Sequence, residues 1–156
     1  MKIGGIDPRT LPTEETLVLP RGDQMMVFRA TGLRDMEEFN RLCPEPICPK
    51  KLTKDGTVAD TEDPDYKAAC VGYGKRRWGY IAVHSLAPSN IEWDTVQLDN
   101  PSTWSNYEDD LKNAGLLASE ILRVNGLVIE ANCLDEAKLQ QARLSFLRGM
   151  ATKQAT

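Results

Sequence analysis

The sequence has few of the residues that catalytic sites most often use. It contains one histidine, His84, among 156 residues. Any Cys/His or Ser/His/Asp arrangement would therefore have to include that residue. There is also no phosphate-binding P-loop, no dinucleotide-binding glycine motif and no nucleophile-elbow motif. We therefore predict a protein that is not an enzyme and that uses no cofactor.

Long apolar runs are absent as well. Nowhere do eighteen apolar residues follow one another, so we expect no membrane span. The first residues contain no apolar run of the kind that a signal peptide carries. We therefore expect an intracellular protein, in which the four cysteines stay reduced.

No strong excess of charge marks the chain as a binder of nucleic acid. The formal net charge is −4, which gives no bulk attraction to phosphates or to anionic lipids. One basic cluster, Lys75-Arg76-Arg77-Trp78, could contact phosphates locally. Three cations on a helix are more often a solvated stripe, so we predict no nucleic acid partner.

The residues that are present indicate a single folded domain. Apolar residues make up 41% of the chain and charged residues 27%, which is a globular rather than a disordered balance. We predict a mostly α fold with a small N-terminal β-hairpin, of the α+β class, with a helical bundle-like core of about five helices.

The N-terminal third divides into four predicted segments. Residues 1–15 form a flexible arm, and two short apolar runs around a Gly-containing turn form a hairpin at 16–30. A helix spans 33–43 and ends before Pro44. Residues 44–63 form a linker whose spaced prolines favour an extended chain.

The predicted helical core covers residues 64–149. Asp63-Pro64-Asp65 indicates a helix start, and this helix runs to about Leu86, weakened by Gly72 and Gly74. Three short helices follow, the second capped by Ser119 and the last capped by Asp135 and ending at Gly149. Their short connections predict that they pack as neighbours, and residues 150–156 are expected to fray.

Two side-chain clusters could hold metal ions, and both have a structural interpretation that we favour. Cys43 and Cys48 are spaced like two zinc ligands, but a tetrahedral site needs four ligands and the other candidates are isolated in sequence. Residues 89–110 contain six acids and no Lys or Arg, without the spacing of a calcium-binding loop. We predict no metal site and a solvated acidic face, whose functional role would be docking of a basic partner.

Exposed apolar side chains and an open hairpin edge are the remaining candidates for function. Methionine adapts to binding surfaces, although core filling is its commoner use. An exposed strand edge can accept a partner strand. The predicted partner-binding residues are Met25, Met26, Phe28, Phe39, Trp93 and Trp104.

Several segments together resemble the tail assembly chaperones of tailed bacteriophages and prophages. The likeness spans most of residues 14–149 and includes the hairpin and the segment that ends in Leu42-Cys43-Pro44-Glu45-Pro46. It continues in three central phrases and one near the C-terminus. These phrases are Asp63-Pro64-Asp65-Tyr66-Lys67-Ala68-Ala69, Ile91-Glu92-Trp93-Asp94-Thr95-Val96, Asp99-Asn100-Pro101-Ser102-Thr103-Trp104 and Glu130-Ala131-Asn132-Cys133-Leu134-Asp135-Glu136-Ala137-Lys138-Leu139.

The resemblance implies a non-enzymatic role in the cytoplasm of a host bacterium. Such chaperones bind the tape measure protein, the tail tube protein or both while the tail assembles, and they are absent from the finished tail. Self-association is a further possibility. Two alternatives stay open: a minor structural component of the virion, and a small phage enzyme, anti-defence factor or other accessory protein.

Overall fold

The computed structural model describes residues 1–155 and has the α+β architecture predicted from the sequence. Five α-helices and two antiparallel hairpins alternate with three short 3-10 segments at Pro8–Thr10, Ala87–Ser89 and Pro101–Asn106. The strands are β1 (Glu14–Arg21), β2 (Gln24–Thr31), β3 (Lys50–Thr53) and β4 (Gly56–Ala59). The helices are α1 (Glu37–Leu42), α2 (Pro64–Ser85), α3 (Tyr107–Asn113), α4 (Ala118–Ala131) and α5 (Glu136–Gln154).

The β1–β2 hairpin confirms the prediction for residues 16–30, with strands that extend slightly further. Leu17 pairs with Phe28 and Leu19 pairs with Met26, so these side chains share the face that packs on α4. The turn contains Gly22, whose φ of 59° is a left-handed conformation that glycine adopts without a steric penalty. Pro20 lies next to the turn, where its missing N–H disturbs the ladder least.

The prediction of a linker at 44–63 is wrong for residues 50–59, which form the β3–β4 hairpin. Thr53 pairs with Gly56 across its turn, and the Thr53 hydroxyl donates to the Gly56 carbonyl. All eight strand residues are exposed, so the hairpin is held by its own ladder and by the Lys51–Asp60 ion pair. Spaced prolines occur before this hairpin, in the extended segment up to Pro49.

Helix α2 is the central element, and its predicted start at Asp63 is confirmed. The Asp63 carboxylate accepts a hydrogen bond from the Tyr66 N–H, and Pro64 occupies the first helical position. The C-terminal half of α2 is buried against the segment Pro101–Asn106 and against α4. Gly79 makes the closest approach: a Cβ there would lie 2.6 Å from the carbonyl carbon of Trp104.

A polar network joins α2, α3 and α4 at one end of the core. The Trp78 indole N–H donates to the buried Tyr107 hydroxyl at 2.6 Å, and that oxygen lies 2.9 Å from the Asn125 side-chain oxygen. The Asn125 amide in turn donates to Glu108 at 2.8 Å. Each buried polar atom of this group therefore has a partner, as a stable interior requires.

Helix α4 begins one residue before Ser119, so the predicted Ser119 cap is wrong. The first turn is closed by Glu120, whose carboxylate accepts a hydrogen bond from the Leu117 N–H at 2.8 Å. Arg21, at the tip of the first hairpin, pairs with the same carboxylate and donates to the Gly115 carbonyl. This contact fixes the hairpin against the start of α4.

Helix α5 departs most from the prediction. Asp135 caps it as predicted, but it continues through Gly149 to Gln154, so residues 150–154 are helical rather than frayed. Thr156, the last residue of the predicted frayed tail, lies outside the described residues. No residue of α5 is buried, so this helix does not pack as a neighbour of α3 and α4. The core therefore ends at α4.

Three further boundaries differ from the prediction. Helix α1 covers only Glu37–Leu42 of the predicted 33–43. The first of the three short helices predicted after α2 begins as the 3-10 segment at Pro101 and becomes α-helical at Tyr107. The predicted arm 1–15 contains a short 3-10 segment and the first residues of β1.

Candidate functional site

Three of the predicted partner-binding residues lie inside the core. Phe39 and Trp104 have no exposed surface, and Phe28 is buried on the inner face of the first hairpin. The rings of Phe39 and Trp104 are 5.9 Å apart and both contact Tyr80. These three residues are therefore core residues, rather than surface contacts, in the folded chain.

The other three predicted residues keep surface, but they lie on different faces. Met25 is 71% exposed near the tip of the first hairpin, whereas Met26 is half-buried and points to the inner face. Trp93 is half-buried in the loop after α2. The outer face of the hairpin also exposes Val18 and Val27, which pair with each other.

The open edge of the first hairpin is partly occupied. The Ser89 hydroxyl accepts a hydrogen bond from the Arg29 N–H and donates one to the Arg29 carbonyl, both at 2.7 Å. These bonds use the outward backbone groups of β2 near its end. A partner strand could therefore not extend along the whole of β2 without displacing Ser89.

Helix α5 carries the largest set of exposed apolar side chains in any one element. Phe146 is 68% exposed, and the others lose about half of their surface to neighbouring residues. The set comprises Leu139, Leu144, Phe146, Leu147 and Met150. In the first turn of α5, the Lys138 ammonium group pairs with the Glu130 carboxylate at 2.7 Å and with the Glu15 carboxylate at 3.7 Å. Beyond that turn the helix offers an apolar surface that the core does not cover.

The charge of α5 is opposite to that of the remaining chain. The helix holds four cations, Lys138, Arg143, Arg148 and Lys153, and one acid, Glu136, a net charge of +3. The whole chain carries −4. A surface that combines cations and exposed apolar groups favours an acidic or amphipathic protein partner.

The candidate metal ligands do not form a cluster. Within residues 1–155 no three His, Cys, Asp or Glu side chains lie close enough together to hold a metal ion. Cys43 is buried, and its sulfur accepts a hydrogen bond from the Arg76 side chain at 3.2 Å. Asp110, one of the six acids in residues 89–110, is buried and accepts hydrogen bonds from Thr95 and Val96.

The basic cluster at 75–78 does not present a single surface. Arg76 turns toward Cys43, and Trp78 is half-buried with its indole N–H on Tyr107. Lys75 and Arg77 are exposed. Lys75 and Trp78 line one open depression that Glu108 and Asp109 also line, so acidic side chains share the surface on which a nucleic acid base would stack.

His84 lies among aromatic rings at the end of α2. Its ring is 4.0 Å from that of Tyr80 and 6.3 Å from that of Trp104, measured between centroids. Its Nε2 is buried and, among the described residues, has no hydrogen-bond partner. Burial lowers the pKa of His84 below its ordinary value of 6.5, against a weaker opposite effect from Glu38.

We expect the free energy of unfolding to fall as the pH is lowered below 6.5, because the unfolded chain then binds a proton that folded His84 resists. Above pH 6.5 both states hold the neutral ring, and this contribution is fully present. Urea unfolding between pH 5 and 8 measures the slope, and His84→Gln is the control that removes it. NMR titration of the one histidine checks the cause: a midpoint at or above 6.5 contradicts it.

No helix within residues 1–155 has the length and apolar composition needed to cross a membrane. Comparisons of the chain with protein-family models, with curated proteins and with solved structures find no match.

Proposed function

We propose that this chain is a non-enzymatic tail assembly chaperone of a tailed phage or prophage. It binds the tape measure protein, the tail tube protein or both during tail morphogenesis in the host cytoplasm. One observation carries the binding role: α5 is a 19-residue helix with no buried residue and with five apolar side chains on its surface. The identity of the partner rests on the resemblance of residues 14–149 to phage tail assembly chaperones.

An uncovered helix of this composition has a physical cost that a partner would remove. Most helical stability in proteins comes from packing of an apolar face rather than from the intrinsic propensity of the helix. Contiguous exposed apolar surface commonly marks a protein interaction site. Binding of α5 to an apolar helical segment of the tape measure protein would cover both surfaces until the segment enters the tail tube.

The role of α5 is tested by replacing its most exposed apolar pair in the full chain. Phe146→Gln/Leu147→Gln removes apolar area while glutamine keeps a good helix propensity. We expect affinity for the tape measure protein to fall by more than about tenfold, as for the loss of a central apolar contact. Isothermal titration calorimetry with purified tape measure segments measures it.

The matched control is Leu122→Gln. The Leu122 side chain is 70% exposed, and its helix, α4, belongs to the core. Both variants should keep the thermal midpoint of the natural chain, because exposed positions change stability little. Equal binding by the α5 variant and the control would refute the role of α5. Recovery of no tail protein by pull-down from infected cells, or detection of the chain in purified virions, would refute the chaperone function.

A further inference from the structure

A small apolar cavity lies between the end of α2 and the loop that follows it. Its volume is about 220 Å³. It is lined by Val83, His84, Leu86, Ile91, Trp93 and Leu98 among others. Leu98 is 57% exposed, so the rim of the cavity is open to solvent.

The size of the cavity indicates the size of its occupant. Sites for small molecules and cofactors usually enclose about 300–1,000 Å³. An apolar cavity of about 150 Å³ is large enough to hold benzene. The space therefore suits a single aromatic or branched aliphatic side chain, rather than a whole cofactor.

The wall of the cavity is held in place by hydrogen bonds from outside it. The carboxylate of buried Asp110 accepts from the N–H groups of Thr95 at 2.9 Å and Val96 at 3.2 Å. The Trp104 indole donates to the Leu98 carbonyl at 3.1 Å. A loop that is fixed before binding loses less conformational entropy when a ligand enters.

Three acidic residues are neighbours in the chain of residues that line the cavity. Glu92 and Asp94 flank Trp93 in the chain, and Asp99 follows Leu98; all three are exposed. Within the described residues none of the three forms an ion pair. Arg29 contacts the loop after α2 through its backbone N–H, which donates to Ser89. Its guanidinium pairs with Glu14 at 3.8 Å and with none of the three acids. The charges of these three exposed residues are therefore available to cations from another molecule.

We propose that this cavity binds a basic peptide segment of a partner protein. The segment inserts one apolar side chain between Trp93 and Leu98, and lysines or arginines on either side of it pair with Glu92, Asp94 and Asp99. Electrostatic complementarity of this kind selects the partner and speeds its association. The surface is separate from α5, so the proposal stands or falls independently of the chaperone function.

The test uses two blocked synthetic peptides, Gly-Lys-Lys-Leu-Lys-Lys-Gly and the same peptide with glutamate in place of each lysine. NMR spectra of the full chain report each addition. The signal of the Trp93 indole N–H is expected to shift with the basic peptide only. The Trp78 indole donates to Tyr107, outside the cavity, so its signal is the internal reference. The Trp104 indole donates to the carbonyl of Leu98, which lines the cavity, so its signal does not serve as a reference.

Two double variants separate local charge from total charge. Asp94→Asn/Asp99→Asn is expected to weaken binding of the basic peptide by more than about tenfold, and added salt should weaken binding to the natural chain. Asp23→Asn/Asp55→Asn, in the turns of the two hairpins, removes the same charge elsewhere and should leave binding unchanged.

Three results would overturn the proposal. The first is absence of a Trp93 shift at millimolar basic peptide, and the second is equal binding of the acidic peptide. The third is self-association in sedimentation velocity that Asp94→Asn/Asp99→Asn and Phe146→Gln both abolish, because α5 of a second copy would then be the occupant. An unchanged, monomeric sedimentation coefficient together with the selective Trp93 shift supports a separate partner.

Discussion

Replacing Gly79 by alanine is expected to lower the free energy of unfolding by about 3 kcal/mol. The added Cβ would lie 2.6 Å from the carbonyl carbon and oxygen of Trp104 and 2.8 Å from the Ser105 nitrogen. These are backbone atoms, so α2 and the segment Pro101–Asn106 would have to separate. For a domain of this size the thermal midpoint should fall by about 6–12 °C, measured by circular dichroism.

Gly74→Ala is the matched control in the same helix. A Cβ at Gly74 meets no atom within 4 Å, so alanine adds helix propensity without a clash. We expect a gain of about 0.5–1 kcal/mol. If the two substitutions changed stability in the same direction, the close packing of α2 against Trp104 would be wrong.

The second large effect is expected for Asp110→Ala, a loss of about 2–4 kcal/mol in the free energy of unfolding. The substitution leaves the buried N–H group of Val96 and the part-buried N–H group of Thr95 without an acceptor. The Thr95 hydroxyl, 2.7 Å from the carboxylate, loses its partner too. Urea unfolding measures the loss.

Asp109→Ala, the exposed neighbour of Asp110 in α3, removes the same charge and should change stability by less than about 0.5 kcal/mol. Asp110→Asn keeps one acceptor oxygen but loses the charge, so it should fall between the two. Equal effects of Asp109→Ala and Asp110→Ala would contradict the role of Asp110 in holding the cavity wall.

The contribution of Asp110 should also depend on pH. Burial raises the pKa of this carboxyl, but the hydrogen bonds from Thr95 and Val96 outweigh burial and hold the pKa below its ordinary value of 3.8. The stabilisation is therefore present above pH 3.8 and is lost as the pH falls through the lower pKa of the folded chain.

Elements with local signals were predictable from the sequence. The start of α2 follows from one capping carboxylate and one proline, which act within a single turn. The first hairpin follows from two apolar runs around a glycine turn, and its register places Leu17 opposite Phe28. Each of these signals depends only on neighbours in the chain.

The second hairpin shows why the prediction failed between residues 44 and 63. A turn signal is present at Asp55-Gly56, but the flanking strands have four residues each and expose every side chain. Without a buried face there is no alternation of apolar and polar residues to recognise. The prolines at 44, 46 and 49 favour an extended chain just before these strands.

The role of each apolar residue could not be predicted, because a periodic pattern does not identify what covers it. Phe39, Trp104 and Phe28 were predicted to meet a partner and are buried in the core. The last helix is predicted to pack beside its neighbours in the helical core, whereas its side chains Leu139, Phe146 and Leu147 are exposed on α5. Both errors concern tertiary contacts, which decide burial but leave no local mark in the sequence.

The position of α5 outside the core has a direct consequence for its dynamics. Its amide hydrogens are protected only by the helix itself, whereas those of α2 and α4 exchange through opening of the packed core. A partner that covers α5 would slow the exchange of its amide hydrogens toward the rates of α2 and α4.

Amide hydrogen exchange of the full chain, with and without the tape measure protein, is the most direct test of this account. We expect fast exchange in residues 139–154 of the isolated chain, slow exchange in the C-terminal half of α2 and in α4, and strong slowing in α5 once the tape measure protein is bound. Slow exchange of α5 in the isolated chain, or no change in α5 on binding, would contradict the claim that α5 is the uncovered partner-binding helix.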